Sequence, residues 1–326
     1  MLVFEAAQIL DRQVINLADF LQEGDVMVFN DAKVVKAKLS SKILRNQASL
    51  DLNLDQQIDA GDNFAVWNAL CRPAKKVKEG DELEISADFF AQVVSKGDDG
   101  SIKIRFDYDL NDLVAKLDKY GSVPLPPYIK RDSHTDSGAE NSDQKNYQTI
   151  YAANGIAVAA PTAGLHFNEN IFAALDAKKI NRTFVTLNVG AGTFLPVRSD
   201  LIKDHKMHSE FFTISQESAD LINEAKSRGK KIVAVGTTSL RSLESAVDEK
   251  GILRPSKANT QIFIYPPYQF KIVDVLMTNF HLPKSTLFML ISAFVGKEKA
   301  HEIYNHAIKN NYRFYSYGDS SLLFRG

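Results

Sequence analysis

The stretch Ile232–Glu244, IVAVGTTSLRSLE, changes its periodicity at a single glycine. Ile232 to Val235 is a short apolar run, too short for a helix and suited to a buried strand. Beyond Gly236 the spacing lengthens. Leu240 and Leu243 stand three apart, and the pattern predicts a helix through Val247. A strand that passes through a Gly-Thr-Thr-Ser turn into a helix is the repeating unit of α/β architecture. The same order recurs along the chain. A strand over Ile156–Ala160 leads into PTAGLHF (161–167) and a helix over about 168–179. A strand over Thr183–Val189 leads into GAGTF (190–194), and one over Val273–Met277 leads into TNFHLPKS (278–285) and a helix closing at Gly296. Upstream, Val26–Phe29 reads as a further strand that opens onto Asn30-Asp31. This alternation predicts an α/β fold, a largely parallel sheet with flanking helices. In such sheets the ligand crevice lies beyond the carboxyl ends of the strands. Words rich in Gly, Thr, His and Asn fall at those ends four times, so they are expected to converge on one site.

Between Ser40 and Ile129 the text differs. Short alternating segments (Ala48–Leu54, Phe64–Cys71, Glu82–Ile85, Phe90–Val94, Ile102–Phe106) are separated by Gly/Asp turns such as DAGD and KEGD. That spacing predicts a small antiparallel barrel or sandwich. The expected organisation is a discontinuous main α/β domain, 1–40 and 130–326, with an inserted β-barrel domain over 41–129. The polar stretch Asp132–Asn146 reads as a surface loop.

Composition sets the outer limits. The 326 residues carry 39 Lys+Arg and 40 Asp+Glu, a net charge of −1, with 44% hydrophobic and 24% charged residues. These are the proportions of an ordinary globular chain and exclude a disordered tail. Near-neutrality argues against a generic nucleic-acid coat protein and leaves room for a local basic track. Cys71 is the single cysteine, which excludes an intrachain disulfide framework and a cysteine-based zinc site and fits a reducing compartment. The start, MLVFEAAQIL, carries Glu5 and no early Lys or Arg, a poor secretion signal. The longest apolar run, Thr286–Val295, is of core length between Lys284 and Lys297. A cytoplasmic protein with no membrane partner is expected.

Several words carry possible chemistry. Gly236–Ser239 at a helix start favours a carboxylate or phosphate, and equally describes a helix capped by Thr238 or Ser239. It is not a Walker A loop, because Gly-Lys-Ser/Thr is absent. Gly190-Ala191-Gly192-Thr193 is half of a dinucleotide fingerprint. Leu195 stands where the third glycine would be and Pro196 forbids the following helix, so a Rossmann NAD site is not expected. DHKMHSE (204–210) brings His205, His208 and Glu210 together, a set able to move protons or to bind a metal. On extended backbone His208 and Glu210 share one face and His205 the other, which weakens the metal reading. His166 and His281 each end a loop that follows a strand, and Asn279 is either an amide reader of a base edge or a turn residue. Basic residues cluster at Lys33, Lys36, Lys38, Lys42 and Arg45, and again at Arg72, Lys75, Lys76 and Lys78. They form either a solvated surface or a phosphate-contacting stripe.

Taken together, FNDAKVVKAKL, CRPAKKVKEGDEL, GSVPLPPYIKR, YQTIYA, VAAPTAGLHF, VTLNVGAGTF, DHKMHSE, VGTTSLRSLES, TNFHLPKSTLFML and YRFYSYGDSSLLF resemble the S-adenosylmethionine:tRNA ribosyltransferase-isomerase family of queuosine biosynthesis. The resemblance runs in order from about residue 24 to residue 324. It implies a main α/β domain with an inserted barrel, and transfer and isomerisation of the ribosyl part of S-adenosylmethionine. The acceptor would be the aminomethyl group of a 7-deazaguanine at the tRNA wobble position, and the products epoxyqueuosine-tRNA, adenine and methionine. S-adenosylmethionine would be consumed as a substrate. No metal is expected, and a monomer is the expected state, although the sequence itself does not supply the oligomeric state. In the family a segment with a Leu-Ile-Ala…Arg-Asp-Ser-Arg-like word comes first, and this sequence starts near the strand that follows it.

Such chemistry needs a base for the acceptor amine and for the carbon beside the sulfonium, and a proton donor to departing adenine. His208 or His166 is the expected base, with Glu210 orienting it, and His281 or Asp319 would assist adenine departure. Thr237, Thr238 and Arg241 would hold the methionine carboxylate, and Asn279 or Thr162 would read a base. Pro161, Gly164, Gly190, Gly192, Thr193 and His205 would complete the substrate site. Lys33, Lys36, Lys38, Arg72, Lys75 and Lys76 would meet the tRNA, with the acidic runs Asp51–Asp62 and Glu79–Asp88 turned away. The competing readings are a non-catalytic tRNA-binding relative and a His/Glu metal hydrolase.

Overall fold

A computed structural model describes residues 1–97, 100–126, 128–129, 145–190, 202, 205 and 207–325. The surface loop expected over Asp132–Asn146 falls almost wholly outside the described residues, as do Gly192 and Thr193.

The strands are β1 (Leu2–Glu5), β2 (Gln8–Asp11), β3 (Val26–Asn30), β4 (Ala32–Val34), β5 (Lys38–Ile43), β6 (Ala48–Gly61), β7 (Phe64–Arg72), β8 (Glu82–Ser86), β9 (Phe89–Lys96), β10 (Ser101–Phe106), β11 (Asn154–Ala157), β12 (Asn181–Leu187), β13 (Glu210–Ile214), β14 (Ile232–Val235), β15 (Ser256–Thr260), β16 (Val275–Asn279) and β17 (Ser320–Phe324). Nine of them form one sheet in the order β15-β13-β12-β3-β14-β16-β17-β1-β2. The strands β12-β3-β14-β16 at its centre are parallel. β15, β13, β17 and β2 each join it antiparallel to a neighbour. The sheet is therefore mixed, a correction to the largely parallel sheet expected from strand–helix alternation. A strand followed by a helix can pair in either direction, as β13 does ahead of the helix Gln216–Ser227, so alternation along the chain does not reveal the antiparallel members.

Alternation within each central strand sorts side chains to two faces. Val28, Ala234 and Leu276 pack with Leu240 and Leu243 of the helix Thr237–Ala246. Met27, Phe29, Val233, Val235 and Met277 face the other way, onto Phe167 and onto Ile171 and Leu175 of the helix Glu169–Ala177. That helix begins at Asn168, whose side chain accepts from the Ile171 amide and so satisfies one otherwise free donor.

A closed antiparallel barrel, β10-β7-β6-β5-β8-β9, holds Trp67, Phe89, Phe106 and a lining of aliphatic side chains. Closure removes the exposed sheet edges that six short strands would otherwise present. Its strand β5 went unread in the sequence because polar and basic residues alternate there with Leu39, Ser41 and Ile43. The helix Leu110–Tyr120, capped by Asp109, covers the barrel with Leu113 and Leu117, four apart on one face. Cys71 is buried in the barrel, and burial pushes its thiol above the usual value.

Candidate active site

The strand order reverses between β3 and β14. The next parallel strand after β3 is its neighbour β12, whereas the next after β14 is β16 on the other side. A crevice opens at such a switch point, beyond the carboxyl ends. Asn30 ties its floor together. Its Nδ2 donates to the Leu187 carbonyl (3.0 Å), and its Oδ1 accepts from the Leu187 amide (2.9 Å). Asp31 is buried beside it and accepts from Thr186 Oγ1 (2.6 Å) and Asn154 Nδ2 (2.7 Å).

One wall of the crevice is the start of the helix Thr237–Ala246. Its N-cap is Gly236, at φ +89°, and no side chain caps it. The expectation that Thr238 or Ser239 is the cap is therefore corrected. Ser239 Oγ instead donates back to the Val235 carbonyl (2.8 Å). The first-turn amides retain their affinity for an anion. Thr238 Oγ1 is buried with no hydrogen-bond partner among the described residues. One turn on, Arg241 is 7% exposed and paired with Glu210, itself 5% exposed. Arg241 bonds Glu210 through Nη1, while its Nε and Nη2 are buried without a partner among the described residues. Thr237, Thr238, Arg241 and Glu210 line one cavity with Gly190, His205, His208 and, from the barrel, Asp55 and Gln56. A methyl group at Gly190 would stand 2.9 Å from Asp55 Oδ1, so the bare glycine leaves room for the Asp55 carboxylate against it.

The other wall follows β16. Asn279, 2% exposed, donates from Nδ2 to the main-chain carbonyls of Tyr315 (3.1 Å) and Ser316 (3.3 Å) and lies 3.3 Å from His166 Nε2. Two carbonyl acceptors fix which end of the amide carries the hydrogens. Oδ1 is left buried and unpartnered among the described residues. His166 closes the 3₁₀ turn Thr162–His166. Burial, helped by the Met1 ammonium, lowers its pKa to about 4, although Asp319 opposes the shift. His281 Nε2 lies 3.0 Å from Thr278 Oγ1, and burial also brings this imidazole to about 4. Both rings are neutral near pH 7. The two walls meet where a methyl group on Gly236 would come within 3.6 Å of the Ala163 Cβ.

The structure thus brings His205, His208, Glu210, Gly190, Thr237, Thr238 and Arg241 to one cavity, and His166 and Asn279 to the adjoining wall with His281 nearby. Three expected roles change. Glu210 is engaged by Arg241, so it is not free to orient His208 or to ligate a metal. Asp319 accepts from the Arg313 amide (2.7 Å) and guanidinium (3.2 Å). Burial pushes its pKa up, but the Arg313 hydrogen bonds outweigh that and hold it below the usual carboxylate range, so it carries no proton to donate near neutral pH. Gly164 serves packing, since a methyl group there would overlap the Tyr151 hydroxyl. Pro161 is buried as the N-cap of the same turn, and Thr162 is half-buried. Glu244 is structural too and accepts from the Lys271, Ile272 and Val273 amides (3.0–3.2 Å).

Barrel residues Asp55 and Gln56, and the aromatic loop at Tyr315, were not legible as site residues. Asp55 lay inside an acidic run, and Tyr315 within a word matched only as a whole.

Lys38, Arg72, Lys75 and Lys76 are exposed on or beside the barrel, Lys33 is exposed on β4, which pairs with β11 outside the barrel, and Lys36 Nζ donates to the Asp118 carbonyl (2.7 Å). Lys38 stands opposite Asn53 on β6, two residues from the cavity-lining Asp55, and Arg72 stands opposite Asp51. The acidic runs are not turned away. Asp51 faces Arg72 across the ladder, Glu84 faces Lys42, and Asp81 pairs with Arg45 at 2.7 Å. Antiparallel register places opposite charges side by side, where each pair is favourable.

Residues 1–323 match the family described as Queuosine biosynthesis protein. The chain is 51% identical over 318 residues to the S-adenosylmethionine:tRNA ribosyltransferase-isomerase of Allorhizobium ampelinum, covering 97% of this chain and 88% of that protein. It is 49% identical over 337 residues to the protein of the same name from Agrobacterium fabrum, with 97% and 89% covered. The crystal structure of S-adenosylmethionine tRNA ribosyltransferase from Thermotoga maritima aligns over 99% of this chain and 91% of that one, at 31% identity and a TM-score of 0.52. With half of its residues shared across nearly its whole length, and with the strand-end words assembled into one crevice, this chain belongs to the queuosine biosynthesis protein family.

Proposed function

We propose that this chain transfers the ribosyl part of S-adenosylmethionine to tRNA and isomerises it. The acceptor is the aminomethyl group of 7-aminomethyl-7-deazaguanine at the wobble position, and the products are epoxyqueuosine-tRNA, adenine and methionine. The observation that carries this reading is the anion seat at the helix Thr237–Ala246. An uncapped helix start, an unpartnered Thr238 hydroxyl and two unpartnered guanidinium nitrogens of Arg241 surround one cavity. A buried cationic group with unused donors favours a carboxylate, and the methionine end of the donor supplies one.

With the donor so anchored, His208 at the cavity is the base for the acceptor amine and for the carbon that the positive sulfur acidifies. His166 is a poorer base near pH 7, because a group with a pKa of about 4 binds protons too weakly. It acts as a neutral partner of Asn279, which reads a base. His281, also neutral, is a hydrogen-bond donor near the departing adenine. The reading invokes no metal. Lys38 and Arg72, with Lys33, Lys75 and Lys76, carry the RNA backbone toward the cavity along β6. A main α/β domain and an inserted barrel, expected at 1–40 with 130–326 and at 41–129, form two units around the cavity, and the barrel begins slightly earlier than that boundary, with β5 at Lys38. The protein acts as a monomer in the cytoplasm. No helix among the described residues is long and apolar enough to cross a membrane.

The test is adenine release from S-adenosylmethionine in the presence of tRNA bearing the precursor base, with the modified nucleoside measured in parallel. Both are expected. Salt-dependent tRNA binding with no adenine released would identify a non-catalytic relative instead.

A further inference from the structure

Tyr128 and Tyr315 stack at 4.5 Å between ring centroids with 29° between planes, at the wall formed by Asn279 and His166. Both remain well exposed, at 37% and 39%. Tyr128 Oη and Ser316 Oγ lie 2.6 Å apart, a bond that ties Tyr128 to the loop carrying Tyr315. The backbone at Tyr315 is unusual. Its φ of +74° lies in the left-handed region, which an aromatic residue enters only against a steric penalty. Three bonds hold it there: its amide donates to the Phe280 carbonyl (3.1 Å), and its carbonyl accepts from the Gly318 amide (3.0 Å) and from Asn279 Nδ2. Core packing does not explain a strained residue whose ring faces solvent. A flat aromatic surface held rigidly beside a buried, unpartnered amide oxygen matches the physics of nucleobase recognition, in which a ring supplies stacking and an amide reads an edge.

We infer that Tyr315, backed by Tyr128, is the stacking platform for a nucleobase in this site. The inference rests on the function proposed above. The base comes either from the anticodon loop or from the adenosyl group, and stacking serves either, because every base has a π-face. In this role Tyr315 positions substrate and takes part in no proton transfer.

Tyr315→Leu removes the platform, while Tyr315→Phe and Tyr315→Trp keep it. All three face the same backbone cost at φ +74°. The Leu variant is expected to raise one KM by on the order of tenfold or more, with kcat changed less and with the Phe variant near wild type. A rise confined to the tRNA KM assigns the base to RNA, and a rise confined to the S-adenosylmethionine KM assigns it to adenine. Unchanged KM values for both substrates would overturn the platform. Binding supplies a readout independent of turnover. The native Trp67 is buried in the barrel at 1% exposure, so the indole of Tyr315→Trp reports on the exposed site. Its fluorescence should be quenched on titration with adenine, S-adenosylmethionine or an anticodon stem–loop RNA. No quenching by any of them would sink the inference, even if the wild-type enzyme turns over normally. Quenching without wild-type turnover would sustain the platform and remove the proposed reaction.

Discussion

On the wall built by the helix Thr237–Ala246, a guanidinium and a carboxylate are buried together, and two guanidinium nitrogens and a hydroxyl remain unpartnered among the described residues. On the wall built around β16, the buried groups are imidazoles and an amide, and burial holds the imidazoles neutral near pH 7. The two lie at the same end of one sheet and differ in what water exclusion does to them. A buried ion pair survives desolvation only because each charge has the other, and its leftover donors create a demand for a further anion. A buried imidazole with no carboxylate partner discards its proton and becomes a hydrogen-bonding group. The first wall is suited to anchoring a charged substrate end. The second is suited to shaping the surroundings of uncharged bases.

The sharpest test lies where the two walls share the work. His208→Ala should lower turnover by about 10²–10⁴-fold, as measured by adenine release. Near-normal turnover in that variant would move the base to the neutral wall. Next in size, Arg241→Met leaves Glu210 buried without its cation and should cost about 3–5 kcal/mol of stability in urea unfolding. The double variant Arg241→Met with Glu210→Met should recover most of that stability and still bind S-adenosylmethionine weakly. A double variant with native affinity would show that the ion pair serves the fold alone.

The neutral wall makes a prediction about pH. His166 and His281 have folded pKa values of about 4 against an ordinary 6.5. Between those values the unfolded chain binds more protons than the folded one. Stability is therefore complete above 6.5 and declines as pH falls toward 4, by up to about 3 kcal/mol per histidine. His281→Gln should flatten this decline in unfolding curves taken across that range. A profile unchanged by the substitution would remove His281 as a source of it. The smallest effect is expected on the barrel. Lys38→Ala and Arg72→Ala should each weaken tRNA binding modestly and lower the salt dependence of log K by about one. An unaltered slope would take the backbone track off this face.

Much of this was legible in one dimension. The strands at Val26, Ile232 and Val275 are apolar runs bounded by glycine or asparagine, and the helix after Gly236 shows its period in Leu240 and Leu243. β-branched runs and three- to four-residue spacing are local properties, and local propensity decides them. The antiparallel additions β13, β15 and β17 were not legible as such, because pairing direction depends on which distant strand offers a free edge. The acidic run around Asp51 shows the same limit. Its charges read as a block along the chain, yet the ladder sets Asp51 against Arg72.

By itself, then, the sequence determined the family, the elements that build the central sheet, and the residue types available at strand ends, all consequences of side-chain pattern and order. Tertiary structure alone decided the partnerships: Glu210 with Arg241 rather than with His208, Asp319 held by Arg313, Asp55 brought from the barrel against Gly190, and Tyr315 strained into the open beside Asn279. Glu210–Arg241, Asp55–Gly190 and Tyr315–Asn279 join segments far apart in the chain, whereas Asp319 and Arg313, six residues apart, meet through the loop between them. Desolvation and charge pairing act through space, and no spacing along a sequence records them.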